Sequence, residues 1–198
     1  MKHTLSFAIA LVAHVSAVAV GDHPNKLQVP RPLTDTLHPL TQSLFQARTC
    51  GDPANAVPLY RAFNSGDIDH LYTTSTLEIQ TVTKAGTFIS EGVAGKVFPT
   101  QEIGTVPFYR LYSGGLQDHF YTASAVERDA AIRTLGYISE GIVGYVYADA
   151  GCGGWALYRL LRPAPVSDHL YTLSTVEVAA VQAAGYKYEG VAAYIRPA

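Results

Sequence analysis

Val57-Pro58-Leu59-Tyr60-Arg61, Val106-Pro107-Phe108-Tyr109-Arg110 and Trp155-Ala156-Leu157-Tyr158-Arg159 are one short theme written three times. Each is followed by Asp-His-apolar-Tyr-Thr, beginning at Asp69, Asp118 and Asp168. Next come Ser-x-x-Glu (Ser75 and Glu78, Ser124 and Glu127, Ser174 and Glu177), a glycine, and a Glu-Gly pair at Glu91, Glu140 and Glu189. Tyr60, Tyr109 and Tyr158 are spaced 49 residues apart, as are the three Glu-Gly glutamates. Self-similarity at such a period marks a repeat architecture. Leu59-Tyr60-Arg61-Ala62-Phe63 reads as a strand, followed by a Gly/Asn/Ser/Asp turn and a second strand ending near Thr73. Ser75 with Glu78 is a capping box, in which the serine oxygen takes a helix-start N–H and the glutamate reaches back. Gly86, Gly136 and Gly185 fit helix ends, and aromatic, apolar segments such as 137–147 read as third strands.

One such unit buries its own apolar face poorly, so the copies are expected to associate. Closure into a ring removes exposed strand edges, which a linear stack does not. The expected fold is therefore β-rich α+β. Three strand-strand-short helix-strand repeats (about 57–98, 106–147 and 155–196) close into one pseudo-three-fold domain over 50–198, propeller-like or trefoil-like in character. Cys50 precedes the first copy and Cys152 the third, and in a ring those lead-ins become neighbours. A disulfide between them is expected; for a loop of about 100 residues the chain-entropy stabilisation reaches about 4.7 kcal/mol.

Charged residues are only 15% of the 198, and the net charge is −2. That argues against nucleic acid as the main partner, because duplex binders carry a clear positive excess. Tyrosine is abundant, 13 residues against a single tryptophan, which suits half-buried strands and wet binding surfaces. Residues 1–19 have a basic start, a short apolar run and an Ala-x-Ala ending, the pattern of a secretory signal peptide. Residues 20–49 carry four prolines and little periodicity, which reads as an extended or disordered leader. The apolar run is too short to remain as a membrane span, so the expected location is secreted and extracellular.

The only histidines of the repeat body are His70, His119 and His169, and six of the seven glutamates occupy repeated positions. Strand alternation puts His70 and Tyr72 on one face and Asp69, Leu71 and Thr73 on the other. A His-Tyr face offers a ring to stack on pyranose C–H groups, with imidazole and carboxylate for the hydroxyls. Candidate ligand-binding residues are therefore Asp69, His70, Tyr72, Asp118, His119, Tyr121, Tyr137, Asp168, His169, Tyr171 and Tyr186. Against this stands a buried polar network, with Arg61 paired to Glu91 and His70 bonded to nearby backbone. Arg61, Arg110, Arg159, Glu91, Glu140 and Glu189 are assigned structural roles, as are Cys50 and Cys152. Three histidines on an axis would resemble a catalytic zinc site, but nothing in the spacing puts them there, and no metal or cofactor is assigned. No G-x-S-x-G elbow, H-E-x-x-H or phosphate-cradling loop is present, and every plausible acid, base or nucleophile is triplicated. An active site normally uses one asymmetric constellation, so an enzyme is not expected.

Tyr109-Arg110-Leu111-Tyr112, Asp118-His119-Phe120-Tyr121-Thr122, Glu127, Gly136-Tyr137 and Glu140-Gly141 resemble a secreted repeat family of unknown function. That family occurs in fungal secreted proteins and appended to bacterial cell-wall hydrolases. The resemblance spans about 57–196 and implies a cell-wall or glycan-binding role. The copies depart from its pattern at Phe88, where the others have Tyr137 and Tyr186, and at Leu161, where they have Phe63 and Tyr112. The function expected is non-enzymatic, lectin-like binding of extracellular or cell-wall carbohydrate at up to three similar sites. The alternative is a protein-interaction or inhibitor module that uses the Pro-rich loop at 162–167.

Overall fold

The structure is a computed structural model that describes residues 50–198. The expected signal peptide and leader lie outside the described residues. The described chain is β-rich, with three helices and nine antiparallel strands. In order these are β1 (Val57–Asn64), β2 (Asp69–Thr73), α1 (Thr76–Lys84), β3 (Ile89–Val97), β4 (Thr105–Ser113), β5 (Asp118–Thr122), α2 (Ala125–Leu135), β6 (Ile138–Tyr147), β7 (Trp155–Arg162), β8 (Asp168–Thr172), α3 (Thr175–Ala183) and β9 (Lys187–Ile195). One sheet is β2-β1-β3; the other runs β5-β4-β6-β9-β7-β8. The larger sheet is continuous only through a single β6–β9 pair, Tyr147 opposite Tyr194. Isolated bridges of the same kind, Lys96 with Arg196 and Phe98 with Tyr145, tie the end of β3 to the chain beyond β9 and to β6.

The theme's third residue supplies much of the core. Leu59, Phe108 and Leu157 are buried together with Tyr72, Tyr121, Tyr171, Val97, Val146 and Ile195 in one cluster. Each such side chain contributes about 1.5–3 kcal/mol on burial. Simple alternation does not describe these strands, because buried Leu59 and Ala62, Phe108 and Leu111, and Leu157 and Leu160 are three residues apart. Residues three apart lie on opposite faces, as Phe108 in the central cluster and Leu111 with Phe120, Ala131 and Tyr137 in a second one show; each β1–β3, β4–β6 and β7–β9 ladder also carries a pair of register shifts. In β3 the unpaired extra residues are Glu91 and Ala94; in β6 they are Glu140 and Val143; in β9 they are Glu189 and Ala192. Bulges of this kind re-aim a side chain. The following glycines, Gly92, Gly141 and Gly190, take φ of 87°, 98° and 119°, a left-handed region that favours glycine. The Glu-Gly pair is thus a bulge signal that turns its glutamate out of the ladder.

Gly144 serves a different purpose. A Cβ there would sit 2.7 Å from Val97 Cγ2 and 3.1 Å from the Phe98 carbonyl, so glycine permits the close approach of β6 to the end of β3. The Cys50–Cys152 disulfide is present, with a Cα separation of 5.7 Å, and links chain positions 102 residues apart. Among the described residues no helix is long and apolar enough to cross a membrane.

Candidate functional site

The Asp-His-apolar-Tyr-Thr strands β2, β5 and β8 touch one another, and all five residues of β2 and of β8 are buried. Alternation leaves the His-Tyr face open to two readings, a sugar platform or a buried polar network, and the burial of the three tyrosines favours the network. Alternation separates two faces, but these strands have first strands beside them and one another across the core, so the tyrosines are sealed in, while His119 stays partly exposed and His169 lines a pocket. Tyr72, Tyr121 and Tyr171 are at most 1% exposed and carry no surface on which a sugar could stack.

Their hydroxyls close a cycle. The Tyr72 N–H donates to the Tyr121 hydroxyl at 2.8 Å, Tyr121 N–H to Tyr171 at 2.8 Å, and Tyr171 N–H to Tyr72 at 2.8 Å. Each hydroxyl donates onward: Tyr72 to the Tyr171 carbonyl, Tyr121 to that of Tyr72, and Tyr171 to that of Tyr121. The rings meet edge to face with centroids 5.4 Å apart. Burial raises the phenol pKa at all three positions, which keeps them protonated and able to donate.

The aspartates and histidines form a second cycle. Asp168 accepts the backbone N–H of His70 at 2.9 Å and bonds its Nδ1 at 2.7 Å. Asp69 holds His119 through the same two contacts, at 2.9 and 2.7 Å, and Asp118 holds His169 at 2.8 and 2.6 Å. Each Nε2 lies 3.6 Å from a bulge glutamate: His70 from Glu91, His119 from Glu140, His169 from Glu189. The hydroxyls of Tyr137 and Tyr186 donate to Asp118 and Asp168. Burial opposes the His169 imidazolium, but Asp118 and Glu189 outweigh it and raise its pKa to about 9. Burial likewise opposes the Asp118 carboxylate, and the His169 and Tyr137 hydrogen bonds still hold its pKa below the usual range. The potential metal ligands that converge are Asp69, Asp118 and Asp168, with oxygens within 4.8 Å of one another, rather than the imidazoles. Each of those carboxylates is already engaged by a His backbone N–H and Nδ1, so the cluster is an internal hydrogen-bond network.

The arginines stand where one stretch meets the next. Arg61 binds Glu91 of its own third strand at 2.8 Å and Glu177 of α3 in two contacts, at 3.1 and 3.0 Å. Arg110 lies between Glu140 and Glu78, both at 2.9 Å. Arg159 lies between Glu189 at 2.8 Å and Glu127, which it grips with both terminal nitrogens at 3.0 and 2.8 Å. The structure therefore supports the structural pairing of Arg61, Arg110 and Arg159 with Glu91, Glu140 and Glu189, and adds a partner that sequence reasoning missed. Glu78, Glu127 and Glu177 do not reach back to the cap serine as a capping box would have them do. The cap N–H of Ser75 donates instead to Thr73 Oγ1 at 3.0 Å, and Thr73 donates to Glu78; Ser124, Thr122 and Glu127 repeat the relay. That frees one edge of each glutamate for an arginine elsewhere in the chain. The Arg–Glu hydrogen bonds lower the pKa of Glu78, Glu127 and Glu177 against the opposing effect of burial.

Three pockets open at these contacts. Arg61, Glu91, Glu177 and Val93 line one of about 200 Å³. Arg110, Glu78, Glu140 and Ile142 line one of about 180 Å³. Arg159, Glu127 and Val191 line one of about 340 Å³. Each combines an ion pair whose carboxylates are about one-third exposed with an aliphatic side chain, Val93, Ile142 or Val191, that is 39–47% exposed. The 162–167 loop, which joins β7 to β8, is exposed except for Ser167.

No curated protein and no solved structure is significantly similar to the chain. A family model does match, covering residues 58–196, which is most of the chain and nearly all of the described fold. The chain belongs to the family described as Domain of unknown function (DUF5648).

Proposed function

We propose that the protein is a secreted, non-enzymatic glycan-binding protein whose sites are the three Arg–Glu pockets, set around a closed pseudo-three-fold body. The observation that carries this reading is the recurrence of the same ion-pair-plus-aliphatic pocket at three places. A guanidinium held between carboxylates offers fixed donors and acceptors side by side, which suits the vicinal hydroxyls of a sugar. The adjacent aliphatic side chain supplies an apolar contact for ring C–H groups. Closure is supported by the two hydrogen-bond cycles, in which each of three strands is tied to both others. Secretion is supported by the disulfide, which persists in oxidising compartments. Weak sites in triplicate would gain avidity on a cell-wall surface without new contacts.

A glycan array tests the reading. Wild-type protein should bind at least one class of cell-wall oligosaccharide. Val93→Glu, Ile142→Glu and Val191→Glu should lower the signal stepwise, and the triple variant should abolish it at unchanged melting temperature. Failure of the wild type to bind any glycan, or full binding by the folded triple variant, overturns it.

A further inference from the structure

A fourth cavity, of about 330 Å³, has no counterpart among the three pockets just described, and the reason for it lies in one residue. In the first stretch the Phe63 ring covers His70, with centroids 4.6 Å apart; in the second, Tyr112 covers His119, also at 4.6 Å. The third stretch has Leu161 at the matching position, paired with His169 across the β7–β8 ladder just as Phe63 pairs with His70. Leucine cannot supply the missing ring. Phe120, which stands where Leu71 and Leu170 stand elsewhere, leans over His169 at 4.9 Å and takes part of the space. What remains is the cavity, walled by Leu116, Leu135 and Leu161, with His169, Glu127 and Glu189 among its polar lining.

We propose that this cavity binds a single aromatic ring bearing a hydroxyl, a phenol, seated where the other two stretches carry a built-in ring. The shape argument is that the space corresponds to a ring the protein itself supplies twice. A closed apolar cavity of about 150 Å³ admits benzene, and this larger, half-open pocket of mixed lining has room for a ring. The polar argument concerns charge. The cavity presents two carboxylates, Glu127 and Glu189, beside the Arg159 that binds both and also lines it, and the lone pairs that Arg159 leaves free accept a hydrogen bond from a ligand hydroxyl. Phe120 and His169 provide the faces on which a ring stacks. The occupant differs from the sugar of the Arg–Glu pockets; Glu127 and Arg159 line the third of those as well, but Leu161 does not, so variants at Leu161 separate the two readings.

The test is a titration of the intact, disulfide-bonded protein with phenol and 4-methylphenol, read by the methyl resonances of Leu116, Leu135 and Leu161, with cyclohexanol as the non-aromatic comparison. Saturable shifts with both phenols, at least tenfold weaker for cyclohexanol, are expected. Leu161→Tyr restores the ring found in the second stretch and should weaken phenol binding at least tenfold while leaving glycan binding intact. Tyr112→Leu should add a second phenol site of the same class. No saturable phenol binding by the wild type overturns the proposal, as does undiminished binding by Leu161→Tyr at wild-type melting temperature. Should Leu161→Tyr melt early, Leu161→Phe is read by the same criteria.

Discussion

Tyr121→Phe isolates one link of the tyrosine cycle and leaves the packing in place. The hydroxyl of Tyr121 accepts from the Tyr72 N–H at 2.8 Å and donates to the Tyr72 carbonyl at 2.9 Å. Phenylalanine keeps the ring and its edge-to-face contacts at 5.4 Å but leaves both backbone groups of Tyr72 buried without that partner. A typical hydrogen bond contributes about 0.5–1.5 kcal/mol net, and a stranded buried group costs about 1–3 kcal/mol. Two stranded groups give a loss of about 2–6 kcal/mol, a large share of the stability of an ordinary domain. Urea unfolding with the disulfide intact measures it, the midpoint falling with the slope unchanged. Tyr72→Phe and Tyr171→Phe break equivalent links and should lose similar amounts. A loss under about 0.5 kcal/mol for Tyr121→Phe, or a wide spread among the three variants, would show that the hydroxyl cycle does not hold the three strands together.

Stability should depend on pH through the Asp118–His169 pair. The His169 pKa is raised to about 9, so its contribution is full below the unfolded value near 6.5 and is lost as pH rises through 9. Asp118 is shifted downward, so its contribution is present above about 4 and is lost as acid protonates it. Thermal melts from pH 2 to 10 should show a broad maximum on the acid side of neutrality, and His169→Gln should flatten the alkaline limb. Phe88→Tyr should stabilise the protein by about 1 kcal/mol, because Tyr137 and Tyr186 at the matching positions donate to Asp118 and Asp168, whereas Phe88 has no hydroxyl to offer Asp69; chemical unfolding checks it. Gly144→Ala should destabilise by about 1–3 kcal/mol, since its Cβ would overpack Val97 and the Phe98 carbonyl; differential scanning calorimetry reads the loss.

The local elements were legible because their signals are local. Ser75, Ser124 and Ser174 do cap helices, and Gly136 does end one in the left-handed region, as their spacing indicated. The disulfide was legible from the placement of Cys50 and Cys152 relative to the repeats. The direction in which the Asp-His-apolar-Tyr-Thr strands face was not. Periodicity within one strand says that two faces differ, but not that both are covered by strands 50 and 100 residues away, as Asp69 with His119 and Asp168 with His70 require. Glu78 was misread for a similar reason. Its spacing from Ser75 is right for a reciprocal cap, yet its partner Arg110 lies 32 residues on. A count would have helped, since the repeats contain two glutamates for every repeated arginine, which is what an arginine clamped from both sides needs.

In the function proposed, the repeated polar motif locks the interior and the Arg–Glu pockets recognise the glycan. An amide-resonance titration with the oligosaccharide giving the strongest array signal tests it most directly. Shifts should cluster at Ala94, Val143 and Ala192 and at Thr74, Ala123 and Leu173, which line or flank the three pockets. Shifts confined to the 162–167 loop, or to the outer faces of α1, α2 and α3, would contradict the account.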